Sequence, residues 1–223
     1  MTTEIHPPVE EYLEAIHELE EEGIHVIQAR LAERLGHSPP SVSEMIHRLE
    51  GEGHVRIDGR DVHLTTSGRK RAESVVRKHR LAERLLTDVI GLEWHKAHAE
   101  ACRWEHVISD EVEARLVELL GHPTTCPHGN PIPGSGGERP DLSSLADASL
   151  GDKIQLERVT EQIEIDTAAS EFLSSHGFVP GATGAVVARA DDGTLTVELP
   201  SGVIDVVPKL ARQLYVAASS SPR

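Results

Sequence analysis

The sequence predicts a mostly α protein with some β structure: a winged helix-turn-helix, a helical middle domain and a small C-terminal β-barrel. Three observations support this. Two short amphipathic helices are joined by a glycine turn and followed by a hairpin pattern, long helical stretches come next, and the last third alternates in short strand-like runs. The expected segments are 1–75 for the winged module, 76–142 for the helical domain, 143–149 for a linker and 150–223 for the barrel.

The first element is a helix from Val9 to Glu22. It follows the pair Pro7-Pro8 and ends at Gly23. Its apolar residues recur at helical spacing, while four glutamates lie off that stripe: Glu10, Glu11, Glu14 and Glu18.

A helix-turn-helix pattern comes next. A short helix over residues 27–35 ends at Gly36, and Ser38 is a natural N-cap for a second helix that has prolines in its first turn. The buried stripe of the second helix is Val42, Met45, Ile46 and Leu49. The following stretch, HVRIDGRDVHL, alternates around an Asp-Gly pair, which predicts the hairpin of a winged module.

Three further helices are expected, over residues 65–89, 94–106 and 110–120. Residues 121–149 are rich in proline, glycine and serine, which is typical of a linker. Beyond them, the runs KIQLERV, GAVVARA, TLTVELP and VIDVVP predict strands, with one short helix near residues 168–176.

Composition narrows the functional classes. Two cysteines in 223 residues argue against a disulfide framework, and neither a signal peptide nor a membrane span is predicted, so we expect a cytoplasmic protein. The formal net charge of −15 opposes binding to nucleic acid. Bound divalent cations would offset part of this negative charge.

The stretch from Lys78 to His106 carries many metal-donor side chains at helical spacing. Residues three or four apart share a helix face, so two donor groups are possible. These are His79/Glu83/His98 and Cys102/Glu105/His106. Imidazole, carboxylate and thiolate together suit a divalent transition ion. Spacing alone leaves a solvated, hydrogen-bonded helix face as an open alternative.

The segments RKHRLAERLL, AHAEACRWEHVISDEVE and PHGNPIPG resemble the diphtheria toxin repressor family of iron- and manganese-dependent transcriptional regulators. The resemblance covers nearly the whole chain, and it implies an SH3-like, FeoA-type C-terminal domain. It also implies a metal-dependent repressor that is not an enzyme, binds operator DNA as a homodimer with one or two dimers per operator, and holds two metal ions per chain.

The family's metal sites carry over motif by motif. The resemblance implies a primary site of Cys102, Glu105 and His106 closed by Glu11 and Glu14 from the first helix. It implies an ancillary site of His79, Glu83, His98, Glu161 and Glu164, with an anion pocket at Arg80 and Asn130 beside it. Cys126 stands in that pocket where a serine is usual.

The first helix also bears on metal identity. Iron-responsive members resemble TTEMYLRTIYELEEEG, with a methionine ligand where this chain has Glu11, and manganese-responsive members place carboxylates at both positions. Because Mn²⁺ prefers oxygen to soft sulfur, we expect Mn(II) first and Fe(II) second. Cys102, the residue of iron-responsive members, favours iron. A solvated acidic face remains the alternative for Glu11 and Glu14.

For DNA, the exposed residues of the second helix-turn-helix helix are expected to face the major groove. The predicted contacts are Ser38, Pro40, Ser41, Ser43 and Glu44, with Arg48, Arg56 and Arg60 near phosphates. Glu44 accepts hydrogen bonds only, so it could read cytosine N4. Two other functional classes are alternatives: a metal-dependent hydrolase and a metal-storage protein. The chain lacks an HExxH motif, and neither class explains a winged module.

Overall fold

The computed structural model describes residues 8–137 and 141–218. The first residues of the predicted winged module, 1–7, and the last residues of the predicted barrel, 219–223, lie outside these ranges. The helices are α1 (Pro8–Glu21), α2 (Gln28–Leu35), α3 (Pro39–Gly51), α4 (Thr66–Arg84), α5 (Trp94–Trp104), α6 (Asp110–Leu119), α7 (Glu161–Ile165), α8 (Thr167–Ser175) and α9 (Pro208–Ala211). The strands are β1 (Val55–Asp58), β2 (Asp61–Leu64), β3 (Ser143–Ser144), β4 (Lys153–Val159), β5 (Thr183–Arg189), β6 (Leu195–Leu199), β7 (Gly202–Val206) and β8 (Leu214–Ala218). None of the described helices has the length and apolar character needed to cross a membrane.

The N-terminal module forms around one apolar core. Leu13 and Ile16 of α1 pack with Val42 and Ile46 of α3, and all four are fully buried. Ser38 caps α3 through its side chain, as its position before two prolines predicted. The antiparallel strands β1 and β2 form the wing, so the predicted winged helix-turn-helix is confirmed.

Helix α4 joins the N-terminal module to the helical domain without a break. Ala72 packs in the N-terminal core and Leu81 in the next one, so one helix spans the predicted boundary after residue 75. The helix predicted to reach about residue 89 ends at Arg84. A π-helical turn follows, Leu85–Ile90, and it stops at Gly91 with φ of 79°.

Small residues set the distance between α4 and α5. Ala97 and Ala101 of α5 are fully buried and share one apolar cluster with Ala82 and Leu86. Alanine side chains let two helix backbones approach closely. The donor side chains that follow these alanines along both helices are therefore brought within reach of one another.

The C-terminal domain is a six-stranded sheet with strand order β3-β8-β4-β5-β6-β7. Phe178 and Leu156 are fully buried in its core. The prediction of a linker at 143–149 was wrong. The serine-rich composition suggested a linker, but Leu145 is fully buried in the same core. Ser144 caps a 3₁₀ turn, Leu145–Asp147.

Residues 121–137 form a folded loop that packs against β4. Cys126 N donates to Asn130 O at 2.8 Å, and Val159 N donates to His128 O at 3.0 Å. Gly129 has φ of 89°, and a Cβ atom there would lie only 1.9 Å from the carbonyl oxygen of Glu157. The loop is therefore held at a fixed place between the C-terminal sheet and α4.

Candidate metal centre

The first donor group lies where α1 crosses α4 and the end of α5. Glu14, His79 and Glu105 offer ligand atoms that all lie within 4.8 Å of one another. His79 Nδ1 is 2.5 Å from Glu105 Oε2. We call these three residues the helix group. It joins the N-terminal module, through Glu14, to the helical domain.

A second contact between the same two domains lies beside the helix group. His106 Nδ1 is 2.8 Å from Glu10 Oε2, and His106 Nε2 is 3.0 Å from Glu105 Oε1. Glu10 and Glu14 are one helical turn apart on α1, so they share the face turned toward α4 and α5. Two carboxylates of that face therefore approach the donor residues of the helical domain.

The second donor group joins α4, the folded loop and α7. Glu83, Cys126, His128 and Glu164 again offer ligand atoms within 4.8 Å of one another. His128 Nδ1 lies 3.1 Å from Glu83 Oε1 and 3.0 Å from Glu164 Oε2, and Cys126 Sγ is 4.0 Å from the same nitrogen. We call these four residues the loop group.

Backbone contacts orient the His128 ring. Its Nε2 lies 3.3 Å from the carbonyl oxygen of Trp94, which can only accept, so this nitrogen carries a proton. The indole of Trp94 packs against the ring, with centroids 4.6 Å apart. Nδ1 is therefore held toward the two carboxylates and the thiol, because a hydrogen bond from the other ring nitrogen fixes the orientation of an imidazole that ligates a metal.

Two histidines connect the groups. His79 Nε2 is 3.2 Å from Glu83 Oε1. His98 Nδ1 is 3.1 Å from Glu161 Oε1 and 3.5 Å from Glu164 Oε2, and its Nε2 is 3.5 Å from Cys102 Sγ. The two sites expected from the sequence therefore form one continuous cluster. Cys102, expected in the primary site, lies with His79 and His98, and the ligand atoms of these three residues are within 4.8 Å of one another.

The donor set fits divalent metal ions. Both ring nitrogens of His79 face carboxylates, which requires either a second proton or a cation between them. Glu83 Oε2 is buried without a hydrogen-bond partner among the described residues. Buried polar atoms of this kind are rare in native proteins, and a shared metal ion would satisfy them.

The charges explain the shifted titration of these groups. Burial lowers the pKa of His79, but Glu83 and Glu105 outweigh that effect and raise the pKa well above the usual range. Burial likewise opposes the charged form of Glu105, yet His79 and His106 hold its pKa at about 2. Burial and the neighbouring Glu105 raise the pKa of Glu14. The metal-free cluster is thus balanced by protonated imidazoles.

We expect metal binding to become tighter as pH rises, because these imidazoles must lose a proton before they can ligate. The pKa values of His79, His98 and His128 are raised by neighbouring carboxylates, against the opposing effect of burial. Above the ordinary histidine value of 6.5, the apparent affinity should rise about tenfold per pH unit for each proton displaced. Calorimetric titrations in buffers of different ionisation enthalpy count those protons. Affinity that is flat between pH 6.5 and 8.5 contradicts the expectation.

The metal-free fold should respond to pH in the opposite direction. A raised folded-state pKa stabilises the fold below the unfolded value of 6.5, and that contribution is lost as pH rises through the folded-state pKa. High pH therefore removes the protons that stabilise the metal-free fold, and a bound metal ion would replace their positive charge at the same histidines.

Some predicted residues lie elsewhere. Glu11 is half-buried and belongs to none of the donor groups found among residues 8–137 and 141–218. Arg80 donates to Glu21 at 2.7 Å and to the carbonyl of Pro131, and Asn130 donates to Val159 O at 3.1 Å and to Glu164. The side chains expected to hold an anion are thus directed to protein acceptors.

Sequence reasoning assigned no ligand role to three residues of the cluster: Glu10, Cys126 and His128. Glu10 was placed with the solvated face of the first helix. Cys126 and His128 sit in a loop, where helical spacing gives no signal. Their Cys-x-His spacing, in a chain rich in histidine, was the available indication.

The predicted DNA-contacting residues lie on one exposed side of α3 and the wing. Ser38, Pro40, Ser41 and Glu44 are exposed, and Ser43 is half-buried. Arg60 is exposed at the tip of the wing. The other two predicted arginines pair with neighbouring carboxylates, Arg48 with Glu52 at 2.8 Å and Arg56 with Asp58 at 3.2 Å.

Three family profiles match consecutive parts of the chain. Residues 4–61 match "Iron dependent repressor, N-terminal DNA binding domain". Residues 65–134 match "Iron dependent repressor, metal binding and dimerisation domain", and residues 143–218 match the FeoA domain. The matched ranges follow the winged module, the helical domain with its loop, and the C-terminal sheet.

Individual relatives agree on the class of protein but differ in the metal they are named for. The chain is 44% identical over 203 residues to the iron-dependent repressor IdeR of Mycobacterium tuberculosis, covering 86% of this chain and 88% of that protein. It is 40% identical over 217 residues to the diphtheria toxin repressor of Corynebacterium diphtheriae, covering 93% and 95%. A solved manganese-dependent transcriptional repressor in complex with manganese superposes with a TM-score of 0.83 at 32% identity, covering 95% of this chain and 100% of that one. ScaR with bound Zn²⁺ gives 0.79 at 29% identity, covering 96% and 100%.

Proposed function

Since this chain belongs to the iron-dependent repressor family of metal-dependent transcriptional repressors, which are not enzymes, we propose that it is a manganese(II)-dependent repressor. In this proposal it binds operator DNA as a homodimer when loaded with metal, and it acts in the cytoplasm on metal-homeostasis genes. One observation carries it: Glu14, on a helix of the DNA-binding module, meets His79 and Glu105 of the helical domain within 4.8 Å.

The residues of this contact suggest how metal controls DNA binding. Without metal, Glu14 lies beside Glu105 and Glu10 contacts His106, and protonated imidazoles compensate these carboxylates. Those protons leave when the imidazoles ligate a metal ion. A bound divalent cation supplies the positive charge that holds these carboxylates together. The closed arrangement of the two domains is then favoured, and a shift from mostly open to mostly closed needs about 5 kcal/mol of differential affinity.

The donor types support two ions per chain. The helix group and its neighbours offer carboxylates and imidazoles, which Mn²⁺ accepts, with Cys102 as the additional ligand that the resemblance implies. We assign the ancillary ion to the loop group together with His79, His98 and Glu161, so that Cys126 and His128 join the ligands expected from the sequence. Iron(II) is the alternative, because relatives of high identity are named for iron.

An exposed apolar surface on the helical domain supports the homodimer. In the single chain, large apolar residues from the π-helical turn to α6 are 48–74% exposed. They are Val89, Ile90, Val107, Val112 and Leu119. A homodimer interface that covers these side chains would remove them from water. Sedimentation velocity tests the dimer, since a monomer at micromolar concentration contradicts it.

The exposed start of α3 supports a major-groove docking in which Ser38, Ser41 and Glu44 reach the operator and Arg60 of the wing reaches the backbone. A dimer would present two such helices at a fixed spacing. Hydroxyl-radical footprinting of the metal-loaded protein tests this placement. Protection without two-fold symmetry contradicts it, and the length of the protected region distinguishes one dimer from two.

The decisive experiment is operator binding titrated anaerobically with Mn²⁺, Fe²⁺, Co²⁺ and Zn²⁺, each against a chelator control at the same salt concentration. We expect tight binding with Mn²⁺ at concentrations where Fe²⁺ is less effective, and only non-specific binding with chelator. Equal affinity with and without chelator removes the proposal. Activation by Fe²⁺ at lower concentrations than Mn²⁺ would mean that the repressor is iron-dependent and not manganese-dependent.

A further inference from the structure

The wing is a short hairpin whose position depends on how its base is held. Strands β1 and β2 have four residues each, and a two-residue turn, Gly59-Arg60, joins them. Gly59 has φ of 62°, which suits the first position of so tight a turn. An isolated two-stranded hairpin is only marginally stable in water. Arg60 can therefore occupy a fixed place only if the base of the wing is bonded to the rest of the module.

Both outer edges of the wing are bonded in this way. Ile57 and Val62 stand opposite each other in the hairpin, and each directs its N–H group away from the other strand. Val62 N donates to the carbonyl oxygen of Val26 at 2.9 Å. Ile57 N donates to Glu50 Oε1 at 3.1 Å. The β1 edge is thus held by a side chain from the last turn of α3, the helix proposed to read DNA.

This contact explains a carboxylate in an unfavourable place. Glu50 is exposed at the end of a helix proposed to enter the major groove, where the DNA phosphates repel its negative charge. Its other carboxylate oxygen is 3.9 Å from His47 Nδ1, which is too far for a hydrogen bond. The bond from Ile57 N is therefore the contact through which Glu50 can serve DNA binding.

We propose that Glu50 is a positioning residue that sets the wing relative to α3, so that Arg60 reaches the operator backbone while α3 lies in the major groove. Glu50 touches no DNA in this arrangement and acts through Ile57 and the hairpin. The bond needs an acceptor oxygen and not a charge, so glutamine can replace Glu50. The inference rests on the proposed function, since it needs the metal-loaded repressor on its operator.

Two variants of Glu50 isolate the acceptor. Glu50→Gln and Glu50→Met remove the same charge and keep a similar length, but only glutamine offers a strong acceptor oxygen. At saturating Mn²⁺, Glu50→Met should bind operator about fivefold more weakly than Glu50→Gln, the loss of one hydrogen-bonded contact. Glu33→Gln and Glu33→Met are the matched control pair, because Glu33 is exposed on α2, outside α3 and the wing. These two should bind operator equally.

Further readouts separate positioning from general support of the fold. With Arg60→Ala as the background, the difference between the two Glu50 variants should disappear, because the contact that they affect is already absent. The salt dependence of operator binding should be weaker in Glu50→Met than in Glu50→Gln by about one phosphate contact. Amide hydrogen exchange, followed by NMR without DNA, should be slow at Ile57 in the wild type and in Glu50→Gln and faster in Glu50→Met.

Several outcomes overturn the inference. They are equal operator affinity in the two Glu50 variants, a difference that persists with Arg60→Ala, an equal salt dependence, or the same Ile57 exchange rate in all three proteins. Altered Mn²⁺ affinity without DNA in Glu50→Met alone also overturns it, since the contact would then support the whole module. Failure of the proposed function looks different, because the wild type itself would bind operator equally with metal and with chelator while Ile57 kept its slow exchange.

Discussion

Replacing Glu105 by glutamine is expected to abolish the metal-dependent gain in operator affinity, a loss of about 100-fold. The Glu105 carboxylate contacts His79 at 2.5 Å and His106 at 3.0 Å, and it lies within reach of Glu14. A neutral amide keeps the size of the side chain but offers one weak oxygen donor and no charge. Fluorescence anisotropy of labelled operator in Mn²⁺, under anaerobic conditions, measures the effect.

The matched control for this variant is Glu100→Gln. Glu100 lies on α5, the helix that ends beside Glu105, but pairs with Arg103 at 2.6 Å and Trp104 at 2.9 Å, and it belongs to neither donor group. It should bind operator as the wild type does. If Glu105→Gln keeps a metal-dependent gain equal to that of Glu100→Gln, the helix group does not control DNA binding.

The same assay distinguishes the two glutamates of α1 that the resemblance assigned to the primary site. Glu14→Gln should lose most of the gain, whereas Glu11→Gln should lose a small part, since only Glu14 lies with His79 and Glu105. The reverse order would mean that α1 turns when metal binds and brings Glu11 inward.

Replacing His128 by glutamine is expected to destabilise the metal-free protein by about 3 kcal/mol. At neutral pH the imidazole is protonated, because Glu164 and Glu83 raise its pKa against the effect of burial. It lies 3.1 Å and 3.0 Å from their carboxylates. Without it, those two fully buried groups face each other with their charges less compensated. Urea unfolding in the presence of chelator measures the change.

The second expectation for His128→Gln concerns metal content. The variant should hold one manganese ion per chain where the wild type holds two, as measured by mass spectrometry after dialysis. His25→Gln is the control, because His25 is 83% exposed and only loosely paired with Asp61. Two retained ions together with unchanged urea unfolding would remove the loop group from the proposed site.

Local sequence rules predicted the elements that depend on local physics. The helical period of Leu13 and Ile16, the Ser38 cap and the Asp58-Gly59 turn each act within a few residues, and all are present. The donor residues on α4 and α5 could be found in the same way, since residues three and four apart on a helix share a face.

The rest depended on packing between distant segments. Loop residues Cys126 and His128 reach Glu83 because Gly129 lets the loop lie against β4, a contact without local periodicity. The choice between Glu11 and Glu14 depends on how α1 is rotated about its axis against α4, because successive side chains of a helix are about 100° apart around that axis. Helical spacing suggested two donor groups and the resemblance implied two sites, and the tertiary structure joined them through His79.

His79 lies between Glu105 of the helix group and Glu83 of the loop group, so one imidazole is within reach of both proposed ions. Whichever ion binds first would take that ligand and leave the other position with one donor fewer. Filling would then be antagonistic, and a binding isotherm would spread over a wider range of concentration than two independent sites allow. Such a spread would let the protein report graded manganese supply instead of a single threshold.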